Sequence, residues 1–343
     1  MLFQHKPLVV VDADTLGRQR TGDERYIANL LRELGGLASD EGIRIAAVTR
    51  RPELVPAGIE PLPLGTPVQE LRMLLTLPRL LRRTRASLVH TQYAVPFRSP
   101  CPAVVTIHDL SFEREPKLMP WKDRFVFRRV VPRAARRAAH VLTVSERTKR
   151  DLVELYGLSP DRIVVTPNGV DPAFTPTNSP LHSPYVLAVG AVQPRKNQLA
   201  AVEAAAGADL PLVVAGPVKD EALAAELRRR GADLRGYVSQ DELVELYRGA
   251  ACLVQPSHYE GFGLPVLEAM ACGTPVVAVD EPALREVAGH AAVIVPESDL
   301  ADGIRKALAE RERLRAAGLE RADAFSWRST AERTLAVYLE ALR

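Results

Sequence analysis

Tyr259-Glu260-Gly261-Phe262-Gly263-Leu264-Pro265-Val266-Leu267-Glu268-Ala269-Met270-Ala271-Cys272-Gly273-Thr274-Pro275-Val276-Val277 sets two carboxylates, Glu260 and Glu268, around a glycine pair that opens a short apolar run. Pro265 suits a first helical turn and Gly273 a stop just past the last one. The spacing predicts an apolar strand from Ala251 to Gln255, a polar loop holding Glu260, a short helix carrying Glu268, and a second strand from Val276 to Val279. A helix N-terminus preceded by glycines presents free backbone N–H groups to an anion, and carboxylates beside it accept hydrogen bonds from hydroxyls. Phosphate and sugar are therefore the ligands expected together. Two glutamates alone would be read as solvated charges; the functional reading rests on the whole string. A dinucleotide fingerprint is excluded although Gly261-Phe262-Gly263 is G-x-G and Asp280 follows at a suitable distance. Val266 stands where the third glycine should be, and five residues separate Gln255 from Gly261 where the fingerprint turns at once.

Outward from this stretch, short apolar runs alternate with helical patterns. They are Leu8 to Val11, Ile43 to Val48, Leu88 to His90, Val104 to Ile107, Val141 to Val144 and Ile163 to Val165, then Tyr185 to Val189, Leu212 to Ala215, Ala251 to Val254, Pro275 to Val279 and Ala291 to Val295. Continuous rather than alternating apolar strands separated by helices predict α/β architecture with parallel sheets covered on both faces. Between the two sets lies a segment from Asp171 to Pro184 with four prolines, unsuited to a helix or a central strand. The expected organisation is a doubly wound domain over 1–172, a linker at 173–184, a second such domain over 185–325, and a C-terminal helix, 326–343, returning to the first domain. Ligands of such domains bind at the carboxyl ends of the strands, where the loops after Asp14, at His108, at Pro194 and at Glu260 fall.

A chain of 343 residues, 47% hydrophobic, is long enough for two ordinary cores. Cys101, Cys252 and Cys272 show no C-x-x-C spacing, so they are read as reduced thiols of a cytoplasmic protein. The N-terminal residues lack the apolar segment of a leader, and no apolar run approaches the roughly 20 residues that span a bilayer. Net charge is only +3, yet Arg79 to His140 holds fourteen Lys or Arg against four acids. A basic amphipathic helix around Trp121 to Ala139 would attract anionic lipid or a polyanionic acceptor at the inner membrane face; the plainer reading is a solvated basic face. No nucleic-acid module is visible.

The stretch at Glu260 resembles the E-x7-E signature of retaining glycosyltransferases of the GT-B fold, specifically glycosyltransferase family 4, the "glycosyl transferases group 1" type. Further stretches agree, in the family's order: Thr21-Gly22-Asp23-Glu24, Thr106-Ile107-His108-Asp109, Thr143-Val144-Ser145-Glu146, Val165-Thr166-Pro167-Asn168-Gly169-Val170-Asp171, and Val189-Gly190-Ala191-Val192-Gln193-Pro194-Arg195-Lys196-Asn197. The resemblance implies two Rossmann-like domains facing across a cleft and a nucleotide-sugar donor, GDP- or UDP-linked. It implies no cofactor. Lys196 matches the family's phosphate-binding lysine. Ala191 stands where many members carry an arginine, so Arg195 is expected to share the phosphate charge. Glu268 would accept from ribose hydroxyls and Glu260 from the donor sugar, helped by N–H groups of Gly261, Phe262, Gly263 and Leu264. His108 matches a histidine that faces the donor sugar; a local cap or core partner is the other reading of a histidine at a strand end. Gly22 resembles the loop glycines that approach the diphosphate. Base recognition is expected from the backbone around Gly236, Tyr237 and Val238.

Asp12-Ala13-Asp14 reads as D-x-D, a cation-holding pair in another glycosyltransferase fold. Here it closes the first strand of a chain whose cationic loop already supplies countercharge, so it is taken as loop geometry and no metal is expected. Members of this type retain anomeric configuration, and the resemblance suggests front-side attack rather than the double displacement of retaining glycosidases. Pro194-Arg195-Lys196-Asn197 resembles mannosyltransferase-like members, which puts mannose first, moved to a glycan, lipid-linked or small-molecule acceptor. A hydrolase or epimerase of the same fold, or a silent nucleotide-sugar-binding subunit, are the competing classes. The acceptor is bound by variable loops of the first domain and leaves no motif.

Overall fold

Apolar runs buried on both faces form parallel strands, because helices can then cover the sheet above and below. The computed structural model describes residues 6–18, 21–119, 121–177 and 183–343. They divide into two units. One holds the chain up to Glu113, Met119–Gly169 and Trp327–Arg343; the other holds Arg114–Leu118 and Val170–Ser326. The chain thus changes unit just ahead of the proline segment, and the last helix belongs to the first unit.

In the first unit the strands are β1 (Leu8–Asp12), β2 (Arg44–Thr49), β3 (Glu60–Pro63), β4 (Leu88–Gln92), β5 (Ala103–Ile107), β6 (His140–Thr143) and β7 (Ile163–Val165). They form one sheet in the order β3-β2-β1-β4-β5-β6-β7, every pair parallel. The second unit repeats the plan with β8 (Val186–Val189), β9 (Leu212–Ala215), β10 (Asp233–Gly236), β11 (Cys252–Gln255), β12 (Val276–Val279) and β13 (Val293–Val295), ordered β10-β9-β8-β11-β12-β13 and again all parallel. The strand order reverses beside β1 and beside β8, and the crevice at such a point is where doubly wound sheets take ligands.

Two strands escaped the sequence reading, β3 and β10, and both are edges. β3 carries two prolines and is largely exposed; an edge strand needs only one hydrogen-bonded side and tolerates proline. β10 alternates exposed with half-buried residues and therefore shows no apolar run.

Val10, Val48, Leu77 and Val89 share one apolar cluster of the first unit and Val105, Ile107, Val131 and Leu152 another, while Val186, Val214, Val254 and Ile304 anchor that of the second. The helix Trp327–Ala341 packs along the helix Thr21–Asp40, with Tyr338 fully buried and the Trp327 ring 6.2 Å from that of Tyr26. No described helix is long and apolar enough to cross a membrane.

Candidate active site

In the second unit the carboxyl ends of β8, β9 and β10 are drawn together by backbone bonds: Gly190 N–H donates to the Ala215 carbonyl at 2.9 Å and Gly216 N–H to the Gly236 carbonyl at 2.7 Å. A Cβ on Gly216, at φ +148°, would lie 2.1 Å from the Gly190 oxygen, so only glycine permits this approach. After β8 the chain makes the tight turn Pro194–Lys196, which lays the Lys196 stem against Gly190. Tyr237 follows β10 half exposed, with Val238 partly covered beside it.

The loop after β11 supplies the first carboxylate. Lys196 Nζ donates to Glu260 Oε1 at 2.6 Å, and the Arg195 guanidinium reaches Glu260 Oε2 at 3.5 Å while donating to the Tyr259 carbonyl at 2.6 Å. Gln255 Nε2, at the end of β11, donates to the same Glu260 oxygen at 2.7 Å and to Ser257 Oγ at 2.9 Å. Glu260 is buried. Burial pushes its carboxyl upward, but Lys196, Arg195 and a hydrogen bond from Ser257 outweigh it and hold the pKa at about 2. Glu260 is therefore an ionised acceptor, without the raised pKa of a general acid.

Gly263, at φ +117°, caps the helix Leu264–Ala271 with no side-chain cap on its first N–H groups, and Pro265 lies in the first turn. The N-terminus is left open to an anion. Phe262 contributes backbone only: its ring is buried edge-on against Phe325 at 5.9 Å. One turn on, Glu268 is 3% exposed and its Oε2 accepts from the Tyr247 hydroxyl at 2.9 Å. Tyr247 is itself held by Thr274 Oγ1 on its carbonyl at 2.7 Å and by the Phe174 ring at 5.8 Å. Tyr247 and Gln255 carry no sequence signal of this role. A tyrosine at helical spacing reads as core, and Gln255 only as the polar end of an apolar strand.

In the first unit His108 follows β5. Its Nε2 lies 2.7 Å from Gln92 Oε1, and because an amide oxygen only accepts, Nε2 is the donor of that pair. Tyr26 meets the ring edge-on at 4.7 Å. Desolvation lowers the His108 pKa against the opposing pull of Asp23 and Asp109. Behind it runs a buried chain: the Tyr26 hydroxyl lies 3.0 Å from Thr106 Oγ1, which lies 2.7 Å from His90 Nε2, while His90 Nδ1 meets the Tyr338 hydroxyl at 2.5 Å. Burial drives His90 down to about 3, so it stays neutral.

Two readings are corrected. Gly22 is not in the loop after β1: it is the second residue of the helix Thr21–Asp40, exposed, with nothing near its missing side chain. Acidic residues in the first turn, Asp23 and Glu24, favour helix there through the helix dipole. Nor is Asp12-Ala13-Asp14 mere loop geometry. Asp12 forms a two-pronged ion pair with buried Arg72, 2.8 Å from Oδ2, and Asp14 is bound by Arg18 and by Arg50 at 2.9 Å. Among the described residues no group of three or more His, Cys, Asp or Glu is placed to hold a metal ion.

Cations and an open helix end beside two buried carboxylates, on a doubly wound parallel sheet, are the equipment expected of a GT-B glycosyltransferase that uses a nucleotide sugar. Family comparison agrees on both halves of the chain: the model for Glycosyltransferase Family 4 matches residues 20–174 and that for Glycosyl transferases group 1 matches residues 171–322. The chain belongs to this glycosyltransferase family. It is 32% identical to the O-antigen chain mannosyltransferase B of Escherichia coli over 69% of this chain and 70% of that protein. It is 35% identical to the D-inositol 3-phosphate glycosyltransferase of Acidothermus cellulolyticus over 70% of this chain, spanning 62% of that longer relative. The fold is that of the sucrose-phosphate synthase of Thermosynechococcus elongatus, at TM-score 0.76 and 20% identity, covering 97% of this chain and 98% of that one.

Proposed function

We propose that the protein transfers a hexose, mannose first, from a nucleoside diphosphate sugar to an acceptor hydroxyl, with retention and without a metal ion. The observation that carries this is the gathering of Lys196 and Arg195 on Glu260, beside the open N-terminus of the helix that bears Glu268. An arriving diphosphate meets Lys196 and helix N–H groups already in place, and such preorganised donors stabilise the charge that grows as the bond to the anomeric carbon breaks. Glu260, ionised, accepts from sugar hydroxyls; Glu268, steadied by Tyr247, accepts from the ribose; neutral His108 hydrogen-bonds a donor hydroxyl. The acceptor oxygen attacks from the leaving-group side, and the departing phosphate takes its proton.

Mannose and a GDP-linked donor are favoured by the Pro194-Arg195-Lys196-Asn197 turn and by the name of the Escherichia coli relative. The cationic excess of Arg79 to His140 favours an anionic acceptor, in keeping with a relative named for an inositol phosphate. A thermal-shift panel of GDP, UDP, ADP and their sugars tests the donor, since a ligand at 100 times its Kd adds about 2.7 kcal/mol. The GDP pair should give the largest shift, and a larger one from the UDP pair would overturn the donor assignment. Free sugar released without acceptor at the rate of transfer would make the enzyme a hydrolase.

A further inference from the structure

Thirteen large apolar side chains of the described residues are exposed, and nine of them belong to three neighbouring segments of the first unit: Val68, Leu71, Leu74 and Leu75; Phe97; and Trp121, Phe125, Val126 and Val130. A soluble surface scatters such residues singly, and their concentration marks a contact surface. The segments adjoin. Phe97 N–H donates to the Met73 carbonyl at 2.9 Å, and the Arg137 guanidinium lies 5.9 Å from the Phe97 ring, so Phe97 joins the helical stretch 69–84 to the C-terminal end of the helix Trp121–Arg137.

The outward side of that helix is set by three- and four-residue spacing. Val131, Ala134 and Ala135 face the core, which leaves Trp121, Phe125, Val126 and Val130 outside together with Lys122, Arg129, Arg133, Arg136 and Arg137. Asp123 is the helix's one acid. The cations lie over the rings: Arg129 is 3.6 Å from the Phe125 centroid and Lys122 is 5.7 Å from that of Trp121. On the other side of Phe97, residues Arg72–Thr76 form a π turn just before Pro78. Proline removes the N–H that would continue the α-pattern. The turn leaves Arg72 and Met73 buried and Leu74 and Leu75 outside.

We infer that this face, built from Leu71, Leu74, Phe97, Trp121, Phe125 and the arginines between them, is a docking surface that seats its rings in the headgroup region of an anionic bilayer. Apolar rings flanked by cations are what an interfacial helix presents to anionic lipid. A second copy of the chain is disfavoured as occupant, because a self-complementary contact would set like cations against each other. Apolar seating also separates this proposal from simple attraction of a basic surface, since charge alone is screened by salt.

The full-length protein is mixed with phosphatidylcholine vesicles, with or without phosphatidylglycerol, and followed by co-sedimentation and tryptophan emission. Trp327 is buried and Trp121 is 67% exposed, so a change on binding reports Trp121. The expected result is binding to the anionic vesicles only, a blue shift of emission, and a bound fraction that persists in part at high salt. Arg129→Glu with Arg133→Glu should lower partitioning by roughly tenfold or more. Trp121→Ser with Phe125→Ser should abolish the salt-resistant fraction while leaving transfer to a water-soluble acceptor unchanged. Absence of binding to anionic vesicles at low salt overturns the proposal. So does binding without an emission shift, and so does a concentration-dependent dimer whose formation produces the shift without lipid.

Discussion

Lys196 Nζ and Glu260 Oε1 stand 2.6 Å apart across 64 residues of chain, and the pair joins the turn after β8 to the loop after β11 at the point where the strand order reverses. Each partner has a second task. Glu260 stays ionised although buried, and Lys196 is the cation proposed above to meet the diphosphate.

Lys196→Ala should therefore lower kcat/KM by about a hundredfold or more, because it removes a charge whose stabilisation grows in the transition state. Steady-state kinetics with the preferred donor decide it; a change confined to KM would make Lys196 a ground-state contact only.

Acid stability should follow the same pair. Glu260, at about 2 against an ordinary 4.5, contributes stability that is present above the ordinary value and lost as pH falls through about 2. In Lys196→Met the cation's pull disappears while burial still pushes the carboxyl upward, so acid unfolding should begin at higher pH. Circular-dichroism melts across roughly pH 2 to 6 measure this, and coincident curves for the two proteins would refute the coupling.

Glu268→Ala should weaken binding of the free nucleoside diphosphate by about 1.5–3 kcal/mol, the worth of a hydrogen bond to a charged group. Tyr247→Phe, which removes only the hydroxyl that steadies Glu268, should cost less, about 0.5–1.5 kcal/mol. Glu260→Ala should spare the nucleotide. Calorimetry with GDP separates the three, and equal losses for both glutamates would sink the division of labour.

Gln92→Glu places a carboxylate where an amide oxygen now meets His108 Nε2. An adjacent anion raises an imidazole pKa, opposing the desolvation that lowers it in the native protein. If neutral His108 serves the reaction, activity should be lost at higher pH on acidification, the acid limb moving up in both the rate profile and the imidazole titration. A titration that moves without the rate would leave His108 a structural residue.

Transfer should survive EDTA. Asp12 already has Arg72 and Asp14 has Arg18 and Arg50, so Arg72→Met should act on stability, costing about 3–5 kcal/mol for a stranded buried charge. Loss of activity on chelation, restored by Mg²⁺ or Mn²⁺, would return these aspartates to the reaction.

The sequence by itself determined the parallel strands of both sheets except β3 and β10, the helix that bears Glu268, and the loop position of Glu260. Those features are written locally, in continuous apolar runs, a proline in a first turn and a glycine past a last one, and local patterns need no knowledge of what lies across the fold. The tertiary structure decided the partners. Arg72 reaches Asp12 over 60 residues, Tyr247 reaches Glu268 over 21, and Tyr338 reaches His90 over 248. Each pair rests on burial, which makes an unpaired polar group costly and so compels a partner to be found. Which partner is set by chain topology, and topology leaves no periodicity to read. The exposed rings of Trp121 and Phe125 belong with these. The sequence shows this helix as a basic face, and only the fold shows that the rings stand outside with the arginines while Val131, Ala134 and Ala135 are buried.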